Sequence, residues 1–209
     1  MKNYGDFDPR FTLKQRDAFP NYAHSIGVLT KPECDSLISD FANSDQWSWG
    51  TVGDGIEFRQ DLQYRSAEHI NIPFVGYEWL YEKVKADVEL ANDRIWNFDV
   101  HSFAENLQIL RYTYREADAI IPSGHYDWHQ DYGAGNGSLR KISVVVNLSD
   151  PTLYTGCNLT LFTYANFVPT EIQPGTVLTF PTYIPHCVTA ITSGTRYALV
   201  TWVHGPQFR

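Results

Sequence analysis

Residues 124–132 bring together side chains that bind metal ions. They read Gly-His-Tyr-Asp-Trp-His-Gln-Asp-Tyr and contain two histidines and two carboxylates. Side chains two residues apart on an extended strand point to the same face, so His129 and Asp131 could hold one ion from one side. His125 and Asp127 have the same spacing and compete for this role. The segment therefore predicts a metal site whose remaining ligand comes from elsewhere in the chain.

The candidate for the third ligand is His186, six residues after the apolar run that ends at Phe180. Pro181 and Pro185 disfavour a regular paired strand here and predict a rigid turn that presents the histidine. Two histidines and one carboxylate on one face of an ion are the ligand set of non-heme Fe(II) oxygenases. The three side chains together therefore predict an iron centre.

An arginine follows ten residues after His186. Arg196 opens the largely apolar run 197–202, where a charged side chain is costly unless an anion pairs with it. The planar guanidinium fork suits a carboxylate with two parallel hydrogen bonds. Beside an iron centre, this arginine predicts a cosubstrate that carries a carboxylate.

The first half of the chain contains two predicted helices. Thr30 precedes Lys31-Pro32-Glu33, which combines a hydroxyl cap, a proline in the first turn and a glutamate three residues after the cap. This helix is expected to end near residue 43. A second helix is predicted over residues 74–93 from apolar residues at helical spacing. A short strand is expected near residues 25–29.

From residue 97 onward the pattern predicts strands. Short runs rich in β-branched and aromatic residues alternate with Gly, Pro, Asn, Asp and Ser, which is typical of a sandwich or barrel. Helices followed by strands predict an α+β fold, mainly β, with helices packed outside a double-sheet roll. The expected strands are residues 98–103, 107–114, 125–131, 141–148, 159–164, 167–173, 176–180, 187–192 and 197–203.

Composition limits the class of protein. The 209 residues are 43% hydrophobic and carry a formal net charge of −8, so we expect one globular domain and no attraction to nucleic acid or anionic lipid. The three cysteines are odd in number and far apart, which argues against a disulfide framework and favours the cytoplasm. No signal peptide or membrane span is recognisable, so we expect a soluble protein without a membrane partner.

The ordered set His129-x-Asp131, His186 and Arg196 resembles the Fe(II)- and 2-oxoglutarate-dependent dioxygenases. More narrowly, the chain is similar to their prolyl 4-hydroxylase-like branch, which includes bacterial and phage members of the PKHD type. The similarity spans roughly residues 105–206. The segments that carry it are residues 107–112, 126–131, 140–151, 175–181 and 194–202.

This resemblance implies a role for each matching residue. His129, Asp131 and His186 would be the catalytic iron ligands. Three further residues would bind the cosubstrate: Arg196 at the distal carboxylate of 2-oxoglutarate, Tyr112 through a hydrogen bond, and Trp202 as part of the pocket wall. One departure is visible, because Cys157 stands where the family commonly has the second glycine of a Gly-Gly pair. We expect this change to affect a turn rather than ligation.

The resemblance also implies fold and activity. It implies a single dioxygenase domain over residues 1–209, with helical support and a lid in 1–96 and a double-stranded β-helix (jelly-roll) catalytic core in 97–209. The cofactors would be Fe(II), 2-oxoglutarate and O₂, with ascorbate as an optional addition. The reaction would hydroxylate an unactivated C–H bond, with a prolyl residue of a peptide or protein as first choice and a small molecule as the alternative.

Other hypotheses remain open at this point. A cupin-type metalloenzyme could use the same three ligands without 2-oxoglutarate, but it would not need Arg196. A jelly-roll lectin would bind no metal and would leave the three ligands unexplained. His125 and Asp127 are expected either to line the substrate mouth or to belong to a solvated strand.

Overall fold

The computed structural model describes residues 21–53, 57–162, 166–167 and 172–208. Most of the strand expected over residues 167–173 lies outside the described residues. Within the described part, two antiparallel sheets pack face to face, and two α-helices cover one of them. This is the expected jelly roll, and the fold class predicted from the sequence is confirmed.

The larger sheet has eight strands. In spatial order they are β1 (Ala23–Ser25), β13 (Val177–Pro181), β9 (Arg140–Asn147), β15 (Ile191–His204), β7 (Gln108–Thr113), β6 (Glu68–Asn71) and β2 (Ser48–Trp49), with β10 (Tyr154–Gly156) also paired to β15. Strands β9, β15 and β7 form its centre and are rich in β-branched and apolar residues, which suit a sheet buried on both faces.

The smaller sheet has five strands. Its spatial order is β12 (Asn166–Phe167), β11 (Leu159–Phe162), β14 (His186–Val188), β8 (His125–His129) and β5 (Arg65–Ser66). A separate hairpin joins β3 (Val52–Gly53) to β4 (Phe58–Arg59). Strands β1, β2, β5 and β6 precede residue 97, so the two sheets draw on the N-terminal part of the chain as well as on residues 97–209.

The first helix, α1 (Lys31–Ala42), begins where the sequence predicts. The Glu33 amide donates to the Thr30 hydroxyl, and the Glu33 carboxylate accepts from the Thr30 amide at 2.8 Å, which completes a capping box. The second helix, α2 (Glu78–Ala91), begins four residues later than expected because residues 74–77 form a turn in which Gly76 has a φ of 93°. A π-helical turn, Asn92–Trp96, follows.

Two hydrophobic clusters lie on opposite faces of the larger sheet. One packs the sheet against α1 and α2, and the other packs it against the smaller sheet. Alternation along the strands assigns the side chains: Ile109 and Leu199 face the helices, whereas Leu110 and Tyr112 face the smaller sheet. Truncating fully buried Leu199 to alanine would cost about 2–5 kcal/mol.

Two expected strands differ in the structure. Residues 98–103 form only an isolated bridge from Ser102 to His204, because the Asn92 side chain hydrogen-bonds both the amide and the carbonyl of Phe98. The expected break at Gly194 is absent, since this residue adopts a φ of 75° and strand β15 continues through it. No helix within the described ranges is long and apolar enough to cross a bilayer.

Candidate metal centre

The three predicted ligands meet at one end of the smaller sheet. His129 and His186 are direct cross-strand partners, one ending β8 and the other beginning β14. Asp131 lies two residues beyond the end of β8, where its amide donates to the carbonyl of Thr182 at 3.0 Å. The candidate ligand atoms of the three side chains all lie within 4.8 Å of one another. Asp131 thus joins the pair from a loop rather than from the strand itself.

The two imidazole rings present their Nε2 atoms to the carboxylate. Nε2 of His186 is 3.5 Å from Oδ2 of Asp131, and Nε2 of His129 is 3.8 Å from Oδ1. Each Nδ1 instead faces a backbone carbonyl, at 2.7 Å from Asp127 for His129 and at 3.0 Å from Ile184 for His186. A carbonyl can only accept, so each Nδ1 carries the proton. Both Nε2 lone pairs are therefore free for a metal ion.

The carboxylate of Asp131 is held from the larger sheet. The Ser143 hydroxyl donates to its Oδ2 at 2.6 Å, and the Trp202 side chain also hydrogen-bonds it. Burial raises the pKa of Asp131, but the two histidines and these two hydrogen bonds outweigh burial and lower it. Burial and the neighbouring His186 lower the pKa of His129. A neutral imidazole at His129 and an ionised carboxylate at Asp131 are the protonation states that a divalent cation needs.

This donor set fits Fe(II). Two histidine nitrogens and one carboxylate oxygen lie within 4.8 Å of one another in the cavity wall, and this is the ligand set of the facial triad of non-heme iron oxygenases.

Arg196 is buried in the same cavity. Only 2% of its surface is exposed, and its Nε donates to Oδ1 of Asn147 at 3.3 Å. Its cross-strand partner is Tyr112, whose ring centre lies 5.9 Å from the guanidinium carbon. Among the residues that the structure describes, no carboxylate pairs with this guanidinium. A buried cation without an anion is unfavourable, so the geometry fits a ligand carboxylate here.

Cys157, which stands where the family commonly has a glycine, contacts Arg196. Cys157 has a φ of 53°, a left-handed conformation that glycine adopts more easily, and it is buried. Its Sγ lies 3.9 Å from Nη1 of Arg196. Cys157 therefore differs from a glycine in two ways, through its left-handed backbone and through its sulfur contact with Arg196.

One cavity connects all six residues singled out for the site. It has a volume of about 640 Å³ and lies between the two sheets; His129, Asp131, His186, Tyr112, Arg196 and Trp202 all line it. Trp202 and Arg196 share a face of β15 at the expected even spacing. His125 and Asp127 are not part of the cavity wall. His125 faces the carbonyls of Ser123 and Gln63, and Asp127 accepts from the Trp128 amide.

The residues that orient the ligands were not predicted from the sequence. Ser143 belongs to the cavity-facing set of β9, and strand alternation could have found it. Arg140 stacks on Trp202 at 3.7 Å, pairs with Glu105 at 2.5 Å and donates to the carbonyl of Asp131 at 3.4 Å. No local signal indicates these contacts, because their partners lie on different elements.

Comparisons with known proteins agree with this geometry. A model of the 2OG-Fe(II) oxygenase superfamily matches residues 107–204. A PKHD-type hydroxylase from Synechococcus sp. (strain CC9311) is 24% identical over 184 residues, which cover 85% of this chain and 76% of the relative.

Solved structures share the fold. A prolyl hydroxylase from Trichoplax adhaerens, in complex with a peptide fragment of the hypoxia inducible factor oxygen degradation domain, superposes with a TM-score of 0.70. It has 17% identity and covers 88% of this chain and 84% of its own. A Pseudomonas putida prolyl-4-hydroxylase has a TM-score of 0.63 and 16% identity, and covers 89% of this chain and 93% of its own.

Residues 107–204 thus match the 2OG-Fe(II) oxygenase superfamily, and the chain is similar to PKHD-type and prolyl hydroxylases. The chain is an oxidoreductase, and the superfamily that it matches uses Fe(II), 2-oxoglutarate and O₂.

Proposed function

We propose that this protein hydroxylates a prolyl residue of a peptide or protein. In this proposal His129, Asp131 and His186 hold Fe(II), Arg196 binds the distal carboxylate of 2-oxoglutarate, and Tyr112 and Trp202 line the cosubstrate pocket. The observation that carries the proposal is the buried, anion-free guanidinium of Arg196 in the cavity of the His-Asp-His cluster.

The bound metal and cosubstrate would supply the oxidation: one O₂ converts C–H to C–OH while 2-oxoglutarate becomes succinate and CO₂. The protein supplies orientation. The carbonyls of Asp127 and Ile184 hold both imidazoles with Nε2 toward the metal position. Ser143 holds the carboxylate of Asp131, and Asn147 holds the guanidinium of Arg196.

The partner is proposed from the relatives. The Trichoplax structure contains a peptide fragment, and the relatives include prolyl and PKHD-type hydroxylases. Exposed aromatic side chains near the cavity, Phe58, Trp128 and Phe162, are consistent with a peptide lying across its mouth. Ascorbate as a reductant, a cytoplasmic location and a single domain with a lid in residues 1–96 are parts of the same proposal. All three cysteines are free, which is consistent with a reducing compartment.

Succinate release from purified protein tests the activity. We expect release to require both Fe(II) and 2-oxoglutarate. His129→Ala should abolish metal binding and turnover, whereas Arg196→Ala should keep metal binding and raise the KM for 2-oxoglutarate. His101→Ala, an exposed histidine outside the cavity, is the matched control. Undiminished turnover in either cavity variant would exclude the assignment.

Arg196 also separates this function from that of a cupin-type enzyme without 2-oxoglutarate. Such an enzyme would retain its activity in Arg196→Ala. Hydroxylation of a small molecule instead of a peptide would appear as succinate release that peptides do not stimulate. A mass increase of 16 Da on proline in host proteins treated with the enzyme would identify peptidyl proline as the target.

A further inference from the structure

Five formally charged side chains line the cavity among the residues described: Arg65, Arg140, Arg196, Glu105 and Asp131. Arg140 is neutralised by Glu105, whose oxygens lie 2.5 and 2.6 Å from its guanidinium nitrogens. Under the proposed function, Asp131 faces the metal and Arg196 the distal carboxylate of the cosubstrate. Arg65 is then the one charge in this set without a counter-ion.

The guanidinium of Arg65 is held in a fixed place. Its Nη1 donates to the carbonyl of Thr51 at 3.0 Å, and its central carbon lies 4.6 Å from the ring centre of Tyr126. Gly50 permits this packing, because a Cβ at that position would lie 2.4 Å from Nε of Arg65. A guanidinium that is already ordered loses little entropy when a ligand binds.

Most hydrogen-bonding capacity of Arg65 is unused. Of its five N–H groups, the structure shows one donating to a described residue, and its Nε is buried without a partner. No carboxylate of the described residues lies within ion-pair distance of it. Holding the Thr51 carbonyl alone would need only one neutral donor. The charge and the planar fork suit a carboxylate instead.

Arg65 is also close to the proposed metal. The ring of Tyr126 stacks on the ring of His129, with centroids 3.5 Å apart and an interplanar angle of 14°. Arg65 therefore contacts a ring that itself contacts a proposed ligand. A group bound to Arg65 would enter the same cavity as the reacting carbon.

From these contacts we propose that Arg65 binds a carboxylate of the substrate, so that the enzyme selects substrates with an acidic group near the carbon that it hydroxylates. This inference rests on the proposed function. In a peptide the group is an Asp or Glu side chain near the target residue; in a small molecule it is a free acid. Phe58 on the adjoining hairpin gives the same wall an apolar part.

Peptide selection tests the proposal without turnover. Protein loaded anaerobically with Mn(II) and 2-oxoglutarate is used to select peptides from two random libraries, one with proline and one with alanine at the central position. We expect Asp or Glu to exceed Asn or Gln by about tenfold or more at one position near the centre, the size of one hydrogen bond to a charged group. A third arm compares N-acetylproline with its amide as competitors.

Three variants test whether the Arg65 side chain causes the acidic preference. Arg65→Gln should lose the acidic preference, and Arg65→Lys, which keeps the charge but not the fork, should retain part of it. Arg94→Gln, at an exposed arginine of the π-helical turn, should retain it fully. Thermal unfolding and Mn(II) affinity show whether each variant keeps its fold and its metal site.

The two libraries and the competition experiment distinguish the role of Arg65 from the proposed function. A preference for the proline library tests prolyl hydroxylation, whereas the acidic preference tests Arg65 in either library. Competition by N-acetylproline but not by its amide, lost in Arg65→Gln, would identify a small acid as the carboxylate source. No acidic preference in any arm, or one that persists in Arg65→Gln, would overturn the role of Arg65.

Discussion

Ser143 and Trp202 are direct cross-strand neighbours on β9 and β15, and both hydrogen-bond the carboxylate of Asp131. Residues of the larger sheet thus orient Asp131, a proposed ligand that follows strand β8 of the smaller sheet. Two donors on one carboxylate fix the plane in which its remaining lone pairs point. Metal affinity should therefore depend on residues that never touch the ion.

Removing either donor tests this dependence. We expect Ser143→Ala and Trp202→Phe each to weaken Fe(II) affinity by about 10–100-fold, the usual effect of losing such a partner. Phenylalanine keeps an aromatic ring beneath Arg140 while deleting the indole N–H. Anaerobic equilibrium dialysis measures the affinity, and Ser193→Ala, an exposed serine outside the cavity, is the control. Wild-type affinity in both variants would show that the carboxylate needs neither bond.

The left-handed backbone of Cys157 predicts an unusual order of stability. Alanine at this position keeps the φ of 53° and loses the sulfur, whereas glycine loses the sulfur and relieves the strain. Cys157→Gly should therefore be more stable than Cys157→Ala by about 1 kcal/mol. Urea unfolding measures the difference. If the alanine variant is equally stable, the conformation is not strained.

The same pair of variants tests the contact with Arg196. Both remove the Sγ atom that lies 3.9 Å from the guanidinium. We expect both to change the KM for 2-oxoglutarate in the same direction, with Fe(II) affinity unchanged. A change in only one variant would attribute the effect to the backbone rather than to the sulfur.

Glu105 predicts a pH dependence of stability. Burial raises the pKa of Glu105, but the hydrogen bonds and charges of Arg140 and His204 outweigh burial, and the folded pKa is lowered. The pKa of Glu105 is lower in the folded protein than in the unfolded chain, where it is about 4.5, so the ionised carboxylate stabilises the fold at pH values above 4.5. This stabilisation is lost as the pH falls through the folded pKa. Between neutral pH and pH values below 4.5, wild type should lose more unfolding free energy than Glu105→Gln.

Urea unfolding at a series of pH values measures how the unfolding free energies of wild type and of Glu105→Gln change with pH. Glu82→Gln removes an exposed glutamate of α2 and serves as the control, with the wild-type slope expected. Parallel curves for wild type and Glu105→Gln would mean that the Arg140 pair does not stabilise the fold.

The ring of Phe208 contacts the two loops next to the proposed ligands Asp131 and His186. Its centroid lies 5.7 Å from that of Tyr132, next to Asp131, and 5.5 Å from that of Tyr183, three residues before His186. Phe208→Ala should lower stability by about 1–3 kcal/mol and also weaken Fe(II) binding. Phe74→Ala, which removes an exposed ring packed edge-to-face against Tyr81, should affect stability without changing metal affinity. Equal metal affinity in both would limit Phe208 to a packing role.

Features encoded by neighbouring residues were predictable from the sequence. The capping box at Thr30 needs only Glu33, three residues away, and the central strands follow from short runs of β-branched and apolar residues. Arg196 and Trp202 are six residues apart, and this even spacing places them on one face of any regular strand. His129, Asp131 and His186 could be grouped because few residue types bind iron in this combination.

Features that depend on register were not predictable. The pairing of Ser143 with Trp202, and the contact of Cys157 with Arg196, depend on how distant strands align. Asn92 shows the same limit, since one amide side chain replaces the ladder hydrogen bonds of an otherwise strand-like segment. Asp131 was expected on a strand and instead lies in the loop beyond it. Alternative registers and local conformations differ by only a few hydrogen bonds, so contacts across the whole fold decide between them.

Strand β15 runs without interruption from Ile191 to His204 and carries Arg196 and Trp202 on one face. Six residues at about 3.3 Å each set these two Cα atoms roughly 20 Å apart. The length of the cavity is therefore set by covalent geometry rather than by loop conformation. Deleting one residue between them would turn Trp202 toward the helices and leave Arg196 in place, so this segment should not tolerate a change in length even where it tolerates a change in side chain.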